Sequence, residues 1–475
     1  MPDIRYVSLS DTHFGAETSL LTNLQTASSD IDPTQPSPVL SRLVESIRYL
    51  ISQNEDKSKK PTLVLNGDIL ELALATDNNA SMTFERFIDL IMPENNEMFG
   101  RIIFIPGNHD HHIWETVRET QYVDFVLSKI TWGKFLPAPW HATNMFSTPV
   151  FSYLLTNLIK RKPNLANFII ETAYPNFGVL SEDTRKCVIF HHGHFIESMY
   201  MLMSTLKNML FPDRKIPTDI WDIENENFAW IDFFWSVLGR SGDVGKGIGQ
   251  IYAKLQDQTQ VKKLLANLAN GIAKKYDLPG WEDRLEAKLL GMAFNGVINQ
   301  IGGFERNIPG KALSKNAEAG LWAYMEGPLS EQILKETKGN MPAKVTFVFG
   351  HTHKPFQEDM NFYGYPEWTD VYNSGGWVVD TVERQPLHGG AVILVDENLD
   401  AISLRMYNEA EDPNNYAVTV EQAKHPGDQT SGFNNRVSTL VAKDPTIWKQ
   451  FSDEVARAVN VRAQNLRAEI NSERI

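Results

Sequence analysis

The stretch FVFGHTHKPF occupies residues 347–356. An apolar run, VTFVF (345–349), leads directly into Gly350 and two histidines one residue apart, His351 and His353. A short run of Val and Phe closed by glycine reads as a buried strand. Four other stretches share this plan: RYVSLSDTH (5–13), TLVLNGD (62–68), RIIFIPGNHD (101–110) and KCVIFHHGH (186–194). Each is a strand-like run that ends in Asp, Asn or His. Five such strands delivering polar ends to one sheet edge predict an α/β protein, because ligands in layered α/β folds bind outside the strand ends.

The five ends offer Asp11 and His13; Asp68; Asn108, His109 and Asp110; His191, His192 and His194; and His351 and His353. Carboxylate oxygen, amide oxygen and imidazole nitrogen together are a ligand set for Mn, Fe or Zn. The single cysteine, Cys187, rules out a thiolate zinc site. Alternate residues of an extended segment face the same way, so D-x-H and H-x-H each present a pair of ligands. Glycines before Asp68, Asn108 and His351 permit tight turns there. So many ligands predict two divalent ions, since one ion would leave several of these groups without a partner.

The chain has 475 residues, enough for a core with large insertions. It carries 59 acidic and 45 basic side chains, a net charge of −14, and no Lys/Arg-rich stretch. That balance gives no strong nucleic-acid signal, because phosphate neutralisation needs clustered cations. One cysteine allows no internal disulfide and fits a reducing, cytoplasmic setting. MPDIRYVSLSD enters a strand at once, so no leader is expected, and no apolar run is long enough for a transmembrane segment. Oligomeric state is not legible.

The ordered set D-T-H (11–13), G-D (67–68), G-N-H-D (107–110), H-G-H (192–194) and G-H-T-H (350–353) resembles the calcineurin-like metallophosphoesterase family. The later N-S-G-G-W (373–377) resembles the segment after that family's last motif. The resemblance implies a four-layer αββα sandwich of two mixed sheets. It implies that Asp11, His13 and His353 hold one metal, that Asn108, His192 and His351 hold the other, and that Asp68 bridges them. The shared hydroxide would attack phosphorus in line. His109 would assist the leaving group, with Asp110 orienting its ring. The substrate would be a phosphorylated small molecule or a phosphodiester. The family's H-G pattern favours His192 over His191, which would face the opposite way into a packed core. His194 is expected in a substrate-binding or supporting role. His111 and His112 read as a solvated turn starting a helix. Glu71 is expected to orient a ligand histidine or to cap a helix, and Cys187 to be a buried, inert thiol.

On this reading residues 1–112, 181–195 and 341–408 are core. Residues 113–180 are a helical insertion, and 196–340 a helical cap. Residues 409–475 are an irregular segment and a C-terminal helix. FIESMYMLMSTLKNMLF and ENFAWIDFFWSVLGR make the cap rich in Met and aromatic residues. That composition reads as helix-packing core, or as a lid for a hydrophobic or lipid-linked nucleotide pyrophosphate. A nuclease is disfavoured by the charge. A non-catalytic scaffold is disfavoured because every expected ligand and His109 are present.

Overall fold

The computed structural model describes residues 2–26, 28–147, 149–210, 213, 217–237, 305, 308, 310–379, 381–410, 412 and 416–472. In chain order its strands are β1 (Ile4–Leu9), β2 (Thr62–Asn66), β3 (Arg101–Ile105), β4 (Val150–Phe151), β5 (Ile170–Thr172), β6 (Asn176–Leu180), β7 (Lys186–His191), β8 (Lys344–Phe349), β9 (Phe356–Met360), β10 (Thr369–Asn373), β11 (Gly389–Asp396), β12 (Ala401–Asn408) and β13 (Thr419–Glu421). One sheet runs β13-β12-β11-β1-β2-β3-β5-β4, the other β6-β7-β8-β10-β9. Both are mixed. Neighbours β1-β2-β3-β5 are parallel, as are β7-β8-β10, and antiparallel strands close the edges.

The alternation of side chains builds the layers. Leu63 and Leu65 of β2, Ile102 and Phe104 of β3, and Val392 and Leu394 of β11 belong to one helix-facing core. Their sequence neighbours Val64, Ile103, Ile105, Ala391 and Ile393 meet Val188, Phe190 and Val348 of the other sheet. Cys187, Ile189, Val345, Phe347 and Phe349 face the second helical layer. A strand buried on both faces is apolar throughout, which is why these runs show no polar alternation. The result is the expected αββα sandwich.

The first helical layer holds α1 (Pro38–Ser52), α2 (Asp77–Ile91), α3 (His111–Gln121) and α4 (Tyr153–Ile159). In α1 the Ser37 side chain accepts from Leu40 N, and Pro38 fills the first turn, where a missing N–H costs nothing. The second layer holds α5 (Leu202–Leu210), α6 (Ile220–Trp230), α7 (Lys315–Tyr324) and α8 (Ser330–Glu336). Two C-terminal helices, α9 (Gly432–Lys443) and α10 (Pro445–Ser472), complete the first layer through Phe433, Val437, Phe451, Val455 and Val459.

Three boundaries differ from expectation. Residues 113–180 are not wholly a helical insertion: besides most of α3 and all of α4 they supply β4 and β5, too short for any two-residue period to show, and β6, interrupted by Gly178. The 196–340 stretch is not wholly a separate cap, since Leu321, Tyr324, Leu329 and Ile333 of its last part cover the second sheet. Residues 409–475 add β13 to the first sheet and two packed helices. The helical readings of 248–256, 261–276 and 286–301 lie outside the described residues.

Candidate metal centre

The parallel strands β1, β2, β3, β7 and β8 deliver their loops to one end of the sandwich. The residues there do not continue the strands. Asp11, His13, Asp68, His351 and His353 all have positive φ, between 44° and 71°. The D-x-H and H-x-H pairs are therefore set by left-handed turns, not by extended backbone. Such strain in non-glycine residues persists only where the surroundings over-determine it. Here they do: Asp11 N donates to Gly67 O (2.9 Å), His13 N donates to Asp68 O (2.9 Å), and His351 N donates to both Asp11 carboxylate oxygens (3.0 Å). Glycine at 350 is required by close approach, since a Cβ there would fall against Asp11 Oδ2 and Ser10 Oγ.

These turns bring two sets together. Donor atoms of Asp11, His13 and His353 lie within 4.8 Å of one another, as do those of Asp68, His192 and His351. Asn108 Oδ1 lies 3.0 Å from His192 Nε2. Asp68 Oδ2 sits between the sets, 3.2 Å from His192 Nε2 and 3.8 Å from His13 Nε2. All of these groups are buried. Burial alone would lower the pKa of His192, yet the charges of Asp68 and Asp11 lift it to about 9. His13 Nε2 is enclosed with no hydrogen-bond partner among the described residues. Carboxylates that draw positive charge, beside an unsatisfied imidazole nitrogen, fit divalent cations.

Glu71 orients two rings at once. His13 Nδ1 donates to its Oε2 (2.8 Å), and His109 Nδ1 donates to its Oε1 (2.9 Å). Burial raises the Glu71 pKa, but the charges and hydrogen bonds of His109 and His13 outweigh it and hold the carboxylate well below its ordinary range. Ala73 N and Leu74 N also donate to Oε1. The surrounding GDILEL is irregular chain with a bridge from Leu70 to Phe14, not a helix.

The expectation for Asp110 needs correction. Its carboxylate accepts from the backbone of Gly107 (2.7 Å), Ile69 (2.8 Å) and Leu70 (3.2 Å), so it braces two loops and does not orient His109. Burial and the charge of Asp68 push its pKa up to about 7.

His194 also differs. It is fully buried, 3.3 Å from Tyr174 Oη, and does not line the cavity beside the two sets. His191 lies on the helix face of β7 among Phe195, Tyr324 and Phe347. Burial, then the neighbouring His192 and His351, press its pKa well down, as for a neutral core residue. Burial pushes the Cys187 thiol up to about 12, so it is inert.

His111 is not solvated. Its Nε2 donates to Glu224 (2.7 Å), its Nδ1 lies 3.4 Å from Asp232, and His112 Nδ1 lies 3.2 Å from the same Asp232 oxygen. Tyr174 Oη donates to the other Glu224 oxygen (2.9 Å). These contacts latch α6 and the helical segment after it to the start of α3, next to the loop that carries Asn108 and His109. Sequence reasoning missed Glu224 because more than a hundred residues separate it from its partner.

The cavity over the centre is lined by Asp68, Asn108, His109, His351 and His353, with Glu197, Tyr200 and Trp235 from the helical stretch. Its volume is about 20 Å³, room for about one water. A larger depression of about 1570 Å³ opens at the other end of the strands. Charged groups there pair with one another, as in Lys344–Asp370 (2.7 Å) and Lys186–Asp400 (2.8 Å).

The sequence of residues 4–196 matches the family model for calcineurin-like phosphoesterases. Among solved structures, the crystal structure of a dimetal phosphatase from Danio rerio is similar, with 11% identity and a TM-score of 0.31. That match covers 89% of this chain and 100% of the other. No curated protein matches the chain. The matched segment carries four of the five loops that build the centre, and over residues 4–196 the chain is similar to the calcineurin-like phosphoesterases, metal-dependent hydrolases of phosphoester bonds.

Proposed function

We propose that this protein hydrolyses a phosphoester with two divalent ions, of Mn, Fe or Zn. Asp11, His13 and His353 would hold one, and Asn108, His192 and His351 the other, with Asp68 shared. The observation that carries the reading is the position of Asp68 Oδ2, one oxygen facing both sets at 3.2 and 3.8 Å. Two such ions, when bound, supply a nucleophilic water at neutral pH and offset charge on the phosphoryl oxygens.

The chain's own groups do the rest. Glu71 takes the Nδ1–H of His13 and so leaves Nε2 as the free donor atom. It takes the Nδ1–H of His109 in the same way, so the His109 Nε2 edge is the one offered to the cavity. A protonated His109 there donates to the departing oxygen. Asp68 Oδ1 accepts the His109 backbone N–H (2.7 Å), which fixes the acid relative to the shared carboxylate.

Tyr200 and Trp235 form an aromatic wall, with the Tyr200 ring centroid 5.1 Å from that of His351. This wall favours a second reading, a phosphoester or pyrophosphate with an apolar or lipid-linked group. No Lys or Arg among the described residues lines the cavity, which weighs against a nucleic-acid substrate. No helix among the described residues is long and apolar enough to cross a membrane. The lone buried Cys187 is in keeping with work in the cytoplasm.

The test is hydrolysis of p-nitrophenyl phosphate, bis-p-nitrophenyl phosphate and a nucleotide-sugar pyrophosphate with added Mn, beside an Asp68→Asn control. Turnover of one bond class that vanishes in the control is expected. Turnover that survives in the control would overturn the assignment.

A further inference from the structure

We infer that Glu197 is a positioning residue for His351, so that the helical stretch beginning at Glu197 is part of the metal centre and not only its cover. The inference rests on the two-metal reading above. Glu197 Oε1 lies 2.7 Å from His351 Nε2, and the two side chains are only 11% and 6% exposed. Nε2 makes no hydrogen bond of good angle among the described residues, but a carboxylate this close draws the ring's proton to Nε2. The other ring nitrogen, Nδ1, then carries the lone pair. It is this Nδ1 that faces the shared set, 3.2 Å from His192 Nε2.

The arrangement repeats the device by which Glu71 holds His13, at 2.8 Å, with the two ring nitrogens exchanged. The main chain of His351 is already fixed by its N–H bonds to Asp11 and by a φ of 71°. Rotation of the ring is the freedom that remains, and Glu197 stands against the ring edge that would turn. Glu197 is itself held. Its Oε2 accepts from Glu305 N (3.3 Å), and Lys354, next to ligand candidate His353, donates Nζ–H to the carbonyls of Glu305 and Ile308 (2.6 Å each). Residues about a hundred apart in sequence are thus tied beside the same G-H-T-H loop. Glu197 is not itself in either ligand set.

Carboxylates behind metal-bound histidines are worth about 10- to 100-fold in metal affinity. The test is a Mn titration of the full chain as wild type, Glu197→Ala and Glu197→Gln, followed by calorimetry and electron paramagnetic resonance. Wild type is expected to bind two Mn with an exchange-coupled spectrum. Glu197→Ala is expected to lose roughly 10- to 100-fold at one site only, and to show the six-line signal of an isolated Mn at stoichiometric loading. Glu197→Gln, which keeps size and an acceptor, should fall between. Two unaltered sites in both variants would overturn the inference while the two-metal reading stands. Loss of both sites together with a lowered melting temperature in Glu197→Gln would also overturn it, since that is the mark of a merely structural group. Fewer than two Mn in the wild type would overturn the two-metal reading and this inference with it.

Discussion

At the scale of single residues, Asp68 and His109 separate metal binding from chemistry. Asp68 offers one oxygen to both ligand sets and the other to the His109 backbone. Asp68→Asn keeps the size but removes the charge that offsets two close cations. It should strip metal and activity together, as read by metal content and turnover on one sample. His109 touches Glu71 by its ring and Asp68 by its backbone, and only the ring is lost in His109→Ala. That variant should retain both metals and lose roughly 100- to 10,000-fold in turnover. Metal loss in His109→Ala would show the ring to be a ligand. The ligand candidates were legible because each follows an apolar run in one continuous stretch. The partner of His109 was not. Asp110 adjoins it and Glu71 lies 38 residues away, and spacing cannot tell which is claimed by backbone amides. Asp110 is claimed by three of them, which leaves Glu71 for the ring.

At the scale of elements, the latch between α3 and α6 makes a pH prediction. Burial works against the charged form of His111, but Glu224 and Asp232 outweigh it and raise the pKa from the ordinary 6.5 to about 9. A histidine raised in the fold contributes its full stability below pH 6.5 and loses it as pH rises through about 9. Amide exchange in α6 should therefore quicken between those values, and His111→Gln should flatten the dependence. Equal exchange slopes in the two proteins would contradict the latch. Strands β2, β3, β7 and β8 were legible as apolar runs between turn residues. The short β4 and β5 were not, because two or three residues carry no period, and β6 (NFGVL) is interrupted by Gly178. The left-handed turns at Asp11 and His351 were invisible for another reason: residue spacing reports alternation only where the backbone is extended.

At the scale of the molecule, the first helical layer is finished by the last helix of the chain. Trp448, Phe451, Val455 and Val459 of α10 are buried against the same core as α1. Arg462 donates to the carbonyls of Ser19 (2.8 Å) and Thr22 (2.5 Å), fastening the helix to the loop after β1. Each such apolar side chain contributes about 1.5–3 kcal/mol by burial. Four of them approach the whole reserve of a typical fold, about 5–15 kcal/mol. A variant ending at Asp444 should fail to give soluble folded protein. A stable protein with an unchanged melting temperature would refute that packing. The helix itself was legible from its amphipathic pattern, but its burial partner was not, since the partner lies at the opposite end of the sequence. The sandwich places all five loops at one end, and the central claim is that they hold two metals there. Metal equivalents per chain after Mn loading and gel filtration, for wild type beside Asp68→Asn, test it most directly. The account predicts two in the wild type and a fraction of one in the variant. A wild type that hydrolyses phosphoesters while holding a single metal, or a variant that holds as much metal as the wild type, would contradict it.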